Sequence, residues 1–287
     1  MNRSHLLAGL ALLAGVGCGA LAGAEAEAPA AATPWVEAQG ARVRLLAGAD
    51  AAQRGKSFLA GVEIHMDPGW KTYWRNPGEA GVPPNFDWSG SANTASIKVH
   101  YPAPIRLIDP AAEMIGYKTS VLFPIEITPQ TASKPVDLRL ALEFAVCREI
   151  CIPAQASMDL TVPPALITGA PAPLIAAAEA RVPRTPDGQR AGDPKLLGVV
   201  AKLDGATPGL EVAAKFPGGA AGADLFVDAP EGFFLPMAQK APGGSDGVVR
   251  FRIDLSRETS AAELKGKTLT FTLVSDAGAS EVAWTVE

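Results

Sequence analysis

Two cysteines, Cys147 and Cys151, stand four positions apart in Phe144-Ala145-Val146-Cys147-Arg148-Glu149-Ile150-Cys151-Ile152-Pro153. Thiols at that spacing admit three chemistries: reversible thiol–disulfide exchange, a structural bridge, or capture of a soft metal ion. Fully extended, the pair would sit roughly 13 Å apart, at about 3.3 Å per residue, whereas a disulfide needs Cα atoms within roughly 7 Å. The chain must therefore turn through Arg148-Glu149-Ile150, which puts the pair at a hairpin tip or strand end, open to a partner. As a staple, so short a loop removes little unfolded-state entropy, roughly 2 kcal/mol before strain, and a tight loop makes a more reducible bond. Exchange and stapling both stay open on these grounds. As a metal site, two thiolates suit Cu(I), with Met114, Met66 or His65 as further ligands. Zinc would want four ligands, and the chain has neither a second cysteine pair nor a paired-histidine motif. Nothing marks either cysteine as opening a helix, so no helix dipole is available to activate a thiol. Arg148 helps modestly, while Glu149 and Glu143 oppose it. Such a pair suits a relay whose partner carries the activated thiol.

The third cysteine, Cys18, belongs to the N-terminus. Arg3, an apolar stretch over 6–16 and the small residues of Ala20-Leu21-Ala22 read as a secretory signal peptide over 1–22, too short to span a membrane. Gly15-Val16-Gly17-Cys18 has a small residue before its cysteine but lacks the leucine of a lipoprotein signal, so ordinary cleavage is favoured over a lipid anchor. The mature chain then keeps only Cys147 and Cys151, in a periplasmic, oxidising compartment where a disulfide between them is expected. No later run reaches the ~18 apolar residues of a transmembrane span. A net charge of −5 without blocks of like charge excludes nucleic acid and anionic membrane as partners.

The elements that must hold the cysteines are short strands. Of the 287 residues 48% are hydrophobic and only 19% charged, with 29 Gly and 25 Pro, which favours a sizeable all-β core cut by turns. Residues 23–34, rich in Ala, Glu and Pro, read as a disordered lead-in. Strands are predicted over 43–46, 58–64, 70–74, 85–88, 97–101, 121–128, 136–146 and 156–162. Turns fall at Asp67-Pro68-Gly69, Asn76-Pro77-Gly78 and Val82-Pro83-Pro84. The period of two is cleanest over 138–144. These form a first domain over 35–165. A linker with a short helix at 174–181 covers 166–195. Six further strands between 196 and 286 predict a second small β-sandwich over 196–287, without cysteine or histidine. Trp70, Tyr73, Trp74, Phe86 and Trp88 are read as core and turn packing rather than a sugar-stacking surface, and His65 and His100 as packed or surface residues. No Ser/His/Asp set, phosphate loop or spaced carboxylate pair is present.

An ordered set of stretches carries a family resemblance: residues 69–78 (Gly-Trp-Lys-Thr-Tyr-Trp-Arg-Asn-Pro-Gly), Pro84-Asn85-Phe86-Asp87-Trp88, Tyr101-Pro102-Ala103-Pro104, Gly116-Tyr117-Lys118 and the cysteine segment itself. Over 35–162 the chain resembles the N-terminal periplasmic domain of the thiol:disulfide interchange protein DsbD. It resembles still more the variant found in suppressor-of-copper-sensitivity proteins of the ScsB type. The resemblance implies an immunoglobulin-like sandwich with Cys147 and Cys151 as the catalytic redox pair and no cofactor. It implies electrons taken from a transmembrane thiol reductant and passed to periplasmic thioredoxin-like proteins. It places a cap loop at 112–118, with Met114 or Ile115 where the family has an aromatic residue, Tyr117 close by, and Tyr73 flanking the site. Two departures stand out. Only three residues separate the cysteines, fewer than in the best-known members, and the family's usual transmembrane and thioredoxin-like domains are replaced by a second β domain, so the reductant is expected on a separate chain. The expectation is a protein thiol–disulfide oxidoreductase. The alternatives are a copper-binding, copper-tolerance protein using Cys147, Cys151 and Met114, and a non-catalytic binding module with a structural disulfide.

Overall fold

The structure, a computed structural model, describes residues 31–48, 57–109, 112–164, 173–257 and 261–287. The first strands are β1 (Ala31–Ala32), β2 (Val36–Ala38), β3 (Ala41–Gly48), β4 (Phe58–Met66), β5 (Lys71–Gly78) and β6 (Asn85–Asp87). Next come β7 (Thr94–Val99), β8 (Ile105–Ile108), β9 (Glu113–Lys118), β10 (Ser120–Pro129), β11 (Val136–Cys147) and β12 (Cys151–Val162). After helix α1 (Pro173–Ala180) follow β13 (Lys195–Lys202), β14 (Gly209–Lys215), β15 (Asp224–Asp228), β16 (Gln239–Ala241), β17 (Val248–Asp254), β18 (Thr268–Ser275) and β19 (Gly278–Thr285).

One sheet runs β1-β3-β4-β10-β7 with β2 on β3, and a second runs β12-β11-β5-β9-β8 with β6 on β11. Val43, Leu45, Val62, Ile64, Phe123 and Ile125 of the first meet Trp74, Leu138, Leu140, Leu142 and Phe144 of the second in one core. In β11 the even positions from Val136 to Phe144 are buried and the odd ones face out, but from Phe144 to Cys147 burial is continuous. Lys71 to Trp74 of β5 and Met114 to Tyr117 of β9 are likewise buried on consecutive residues. At this end of the sheet the outer face is therefore covered as well as the inner one, and that is where the cysteines lie.

The second sandwich packs β13-β14-β17-β16 against β15-β18-β19, around Leu210, Val212, Leu225, Phe251, Phe271 and Leu273. The two sandwiches are joined by an apolar contact ringed with charge. Phe226 and Met237 enter the first core, and Phe226 lies 6.0 Å from the Trp74 ring. Arg75 of β5 donates to Asp228 and Glu281, and Asn76 Nδ2 donates to the Val227 carbonyl. Arg106 of β8 donates twice to Asp224 and once to the Ala238 carbonyl.

The all-β fold has the two sandwiches that the strand pattern implies, with several local differences. The lead-in expected to be disordered through residue 34 is ordered from Ala31. Ala31 and Ala32 pair with Ala47 and Leu46, and Thr33 exchanges hydrogen bonds with Leu45 through its amide and its hydroxyl. Alanine is a weak strand former, so composition argued against this edge strand. Asn76-Pro77-Gly78, read as a turn, continues β5 through an irregularity in its pairing with β9. The strand after the cysteines begins at Cys151 itself rather than 156, because β11 and β12 pair without a break from Val136↔Val162 to Cys147↔Cys151. Helix α1, placed in the linker, packs Ile175 against Leu46 and Leu59 on the first sandwich. Among the described residues no helix is long and apolar enough to cross a membrane. The signal peptide over 1–22 and Cys18 lie outside the described residues.

Candidate active site

Residues 148–150 turn the chain so that Cys147 and Cys151 end β11 and β12 directly opposite each other. Opposed residues of an antiparallel pair have Cα atoms about 4.5–5.5 Å apart, inside the range a disulfide spans. The cysteines are thiols in this structure, with sulfurs 2.8 Å apart, so closing the bond needs only a small shift. Their environments differ sharply: Cys147 is 4% exposed, whereas Cys151 is exposed.

Four residues cover Cys147 on the outer face of the second sheet: Tyr73, Leu107, Met114 and Ala145. Tyr73 is wholly buried, and its hydroxyl is hydrogen-bonded to Cys151 Sγ at 2.8 Å. Two glycines make this possible. Gly116 pairs with Tyr73 across β5 and β9, and a Cβ there would overlap the Thr72 carbonyl. Gly81, at φ +122°, carries the following loop across the Tyr73 ring where any side chain would collide with it. Thr72 Oγ1 donates to the Ala145 carbonyl at 2.8 Å, tying β5 to β11 beside the cysteines. Lys71 stands opposite Cys147 and is ion-paired with Asp109.

Electrostatics reinforce the asymmetry. Burial pushes the Cys147 thiol up, and the Cys151 sulfur beside it adds to this; the Tyr73 hydroxyl and, less, the Lys71 ammonium pull the other way. Burial and the two adjacent sulfurs hold the Tyr73 phenol far above its ordinary range, so it remains a hydrogen-bond donor throughout the working pH range. The arrangement presents one reachable sulfur and one sheltered sulfur, with a fixed donor aimed at the pair.

The residues expected at the site divide by strand parity. Cys147, Cys151, Tyr73 and Met114 come together. Ile115 and Tyr117 do not: on β9 they point to the opposite face and join the main core, where the Tyr117 hydroxyl donates to the Pro102 carbonyl at 2.8 Å. The cap expected as a loop over 112–118 is strand β9, paired with both β5 and β8. His65, considered as a metal ligand, is held by Glu63 and lies edge-on to Trp35, and Met66 lies in the main core. Among the described residues no three His, Cys, Asp or Glu converge on a metal position. Sequence reasoning missed Lys71, Gly81, Leu107 and the two interface arginines, Arg75 and Arg106. Lys71 stood in the segment that carried the resemblance, but its place opposite Cys147 needs the strand register.

Residues 42–163 match the family model described as Thiol:disulfide interchange protein DsbD, N-terminal, and residues 181–287 match Domain of unknown function (DUF8393). No curated protein matches the chain in sequence. Among solved structures, the N-terminal periplasmic domain of ScsB from Proteus mirabilis is similar, with a TM-score of 0.68 at 24% identity over 90% of this chain and 99% of that one. Residues 42–163 of the first sandwich are thus similar to the N-terminal domain of DsbD-type thiol:disulfide interchange proteins, and the two sandwiches together share the fold of the ScsB domain.

Proposed function

We propose that the chain is a periplasmic thiol–disulfide exchange protein in which Cys151 meets the partner and Cys147 completes the exchange. The observation that carries this reading is the pairing of an exposed and a sheltered sulfur 2.8 Å apart at a hairpin tip. A partner thiolate can reach only Cys151 along the S–S axis, expelling Cys147 as the leaving thiolate beside Tyr73 and Lys71. A second partner thiolate then releases the mixed disulfide, leaving both cysteines reduced. In the other direction reduced Cys151 attacks a partner disulfide and Cys147 resolves it. Ile150, Ile108 and Val82, each more than half exposed, supply apolar surface on the cysteine turn, on the hairpin bearing Leu107 and on the loop over Tyr73. The partners in this reading are a membrane thiol reductant and periplasmic thioredoxin-like proteins, reached after export by the signal peptide over 1–22. Residues 35–165 form the redox domain, and the second sandwich over 196–287 braces β5 and β8, the strands bearing Tyr73 and Leu107.

The test is trapping. With a thioredoxin-like protein lacking its resolving cysteine, Cys147→Ser is expected to accumulate a mixed disulfide through Cys151, and Cys151→Ser to accumulate little. A pair potential well below about −300 mV with no exchange would instead mark a structural bridge. A second reading, Cu(I) binding, draws on one observation: the Met114 thioether shares the small cluster around Cys147.

A further inference from the structure

Beside the cysteine hairpin runs a groove of about 430 Å³ lined in part by Trp70, Lys71, Ile108, Asp109, Lys118 and Arg148. Its cations stand in sheet register. Lys71 lies opposite Cys147 across β5 and β11, and Lys118 lies opposite Lys71 across β5 and β9. At about 4.8 Å between strands, Lys118 is two strands, roughly 10 Å, from Cys147. Arg148 directly follows Cys147 and lies over the Trp70 ring, 5.7 Å from its centroid. Asp109 is the one carboxylate among the lining residues, and it is taken by Lys71. Lys118 and Arg148 are exposed and have no carboxylate partner among the described residues. Glu149 sits at the hairpin tip, outside the groove lining.

This is a local surplus of two positive charges on a chain of net charge −5. Like charges directly opposed on neighbouring strands destabilise a sheet; Asp109 offsets the Lys71 charge, while that of Lys118 is left facing the groove. A groove with an excess of cations over carboxylates, its lysines one and two strands from Cys147, is the complement of an acidic segment.

We propose that this groove selects the disulfide substrates of Cys151 by charge, receiving a carboxylate that a partner protein carries next to its reacting cysteine. The inference rests on the exchange reading above and adds the partner's chemistry. In the step it serves, the Cys151 thiolate attacks one sulfur of the partner's disulfide, and the partner's other sulfur leaves as a thiolate. Cys147 then attacks the Cys151 sulfur and releases the partner's second thiolate. Two electrons pass from the cysteine pair to the partner, and the two protons given up by Cys147 and Cys151 are taken up by the departing thiolates or solvent. Lys118 and Arg148 act before the chemistry, by raising the local concentration of the acidic partner and fixing its approach.

The test uses the reduced full-length mature chain and two disulfide-linked peptide dimers. They are identical except that glutamates flank the cysteine in one and lysines in the other, and their rates are normalised to those with dithiothreitol. Wild type is expected to reduce the glutamate dimer about ten-fold faster at low salt, with the preference shrinking at 0.5 M salt as screening shortens the reach of the charges. Lys118→Glu/Arg148→Glu is expected to reverse the preference, and Lys118→Gln/Arg148→Gln to remove it; both positions are exposed, and circular dichroism checks the fold. Equal wild-type rates for the two dimers would overturn the groove while leaving exchange intact. Reduction of neither dimer by a protein with two titratable thiols would overturn the exchange reading and this inference with it.

Discussion

Replacing Tyr73 by Phe removes one oxygen and little else, because the ring keeps its packing under Gly81 and against Met114 and Leu107. The hydroxyl lies 2.8 Å from Cys151 Sγ and also helps hold down the Cys147 thiol. A hydrogen bond to a charged group contributes about 1.5–3 kcal/mol, which is roughly 13- to 160-fold in stabilising the Cys147 thiolate at about 1.4 kcal/mol per decade. About half of that is felt in the exchange transition state, if the leaving sulfur follows the thiol Brønsted slope of about 0.4–0.5. Reduction of oxidised Tyr73→Phe by dithiothreitol at pH 7 is therefore expected to be roughly 4- to 13-fold slower than wild type. Stopped-flow fluorescence from the tryptophans, with Trp70 nearest the cysteine hairpin, would follow it. A wild-type rate with an unchanged fold would refute the idea that the Tyr73 hydroxyl assists the departing sulfur.

The same structure supports other tests. Burial raises the Cys147 thiol in the folded reduced chain, so the folded state holds that proton more tightly than the unfolded one. This contribution is intact below the unfolded cysteine value of about 8.5 and is lost as pH rises toward the higher folded value. Reduced protein is therefore expected to lose melting temperature relative to oxidised protein as pH rises above about 8.5, and parallel curves would contradict it. Gly116→Ala should cost about 2–3 kcal/mol in denaturant unfolding, since its Cβ would overlap the Thr72 carbonyl and wedge β5 from β9. Arg106→Ala strips the 2.8 Å contact to Asp224 and the 2.6 Å contact to Glu113, and should cost about 2–3 kcal/mol. If the second sandwich braces the site, Arg106→Ala should also speed alkylation of Cys147, and an unchanged rate would deny that bracing role. Cu(I) binding, if it occurs through the site, should weaken at least ten-fold in Met114→Leu at unchanged redox potential; equal affinity would remove Met114 from any metal role.

The cysteine hairpin is legible in the residues alone, because disulfide geometry forces a turn between positions four apart. The all-β class is legible for a similar reason: side-chain alternation over 138–144, like the Gly and Pro punctuation, is a local property. The edge strand at Ala31–Ala32 is hidden because alanine is a weak strand former, while its pairing is with the distant Ala47 and Leu46.

What the residue pattern could not decide was parity. Met114 faces Cys147 while Ile115 and Tyr117 enter the core because Gly116 pairs with Tyr73. A slip of one residue would exchange the two sets, and register follows from contacts distant in the chain. The inequality of the two sulfurs has the same origin, since Tyr73, Leu107 and Met114 shelter Cys147 from strands 30 or more positions away in sequence. So does the brace of Arg75 and Arg106 on Asp228, Glu281 and Asp224, which spans more than a hundred residues. Local physics specified where sulfur chemistry could occur; the packing of distant strands decided which sulfur is open and which charges surround it.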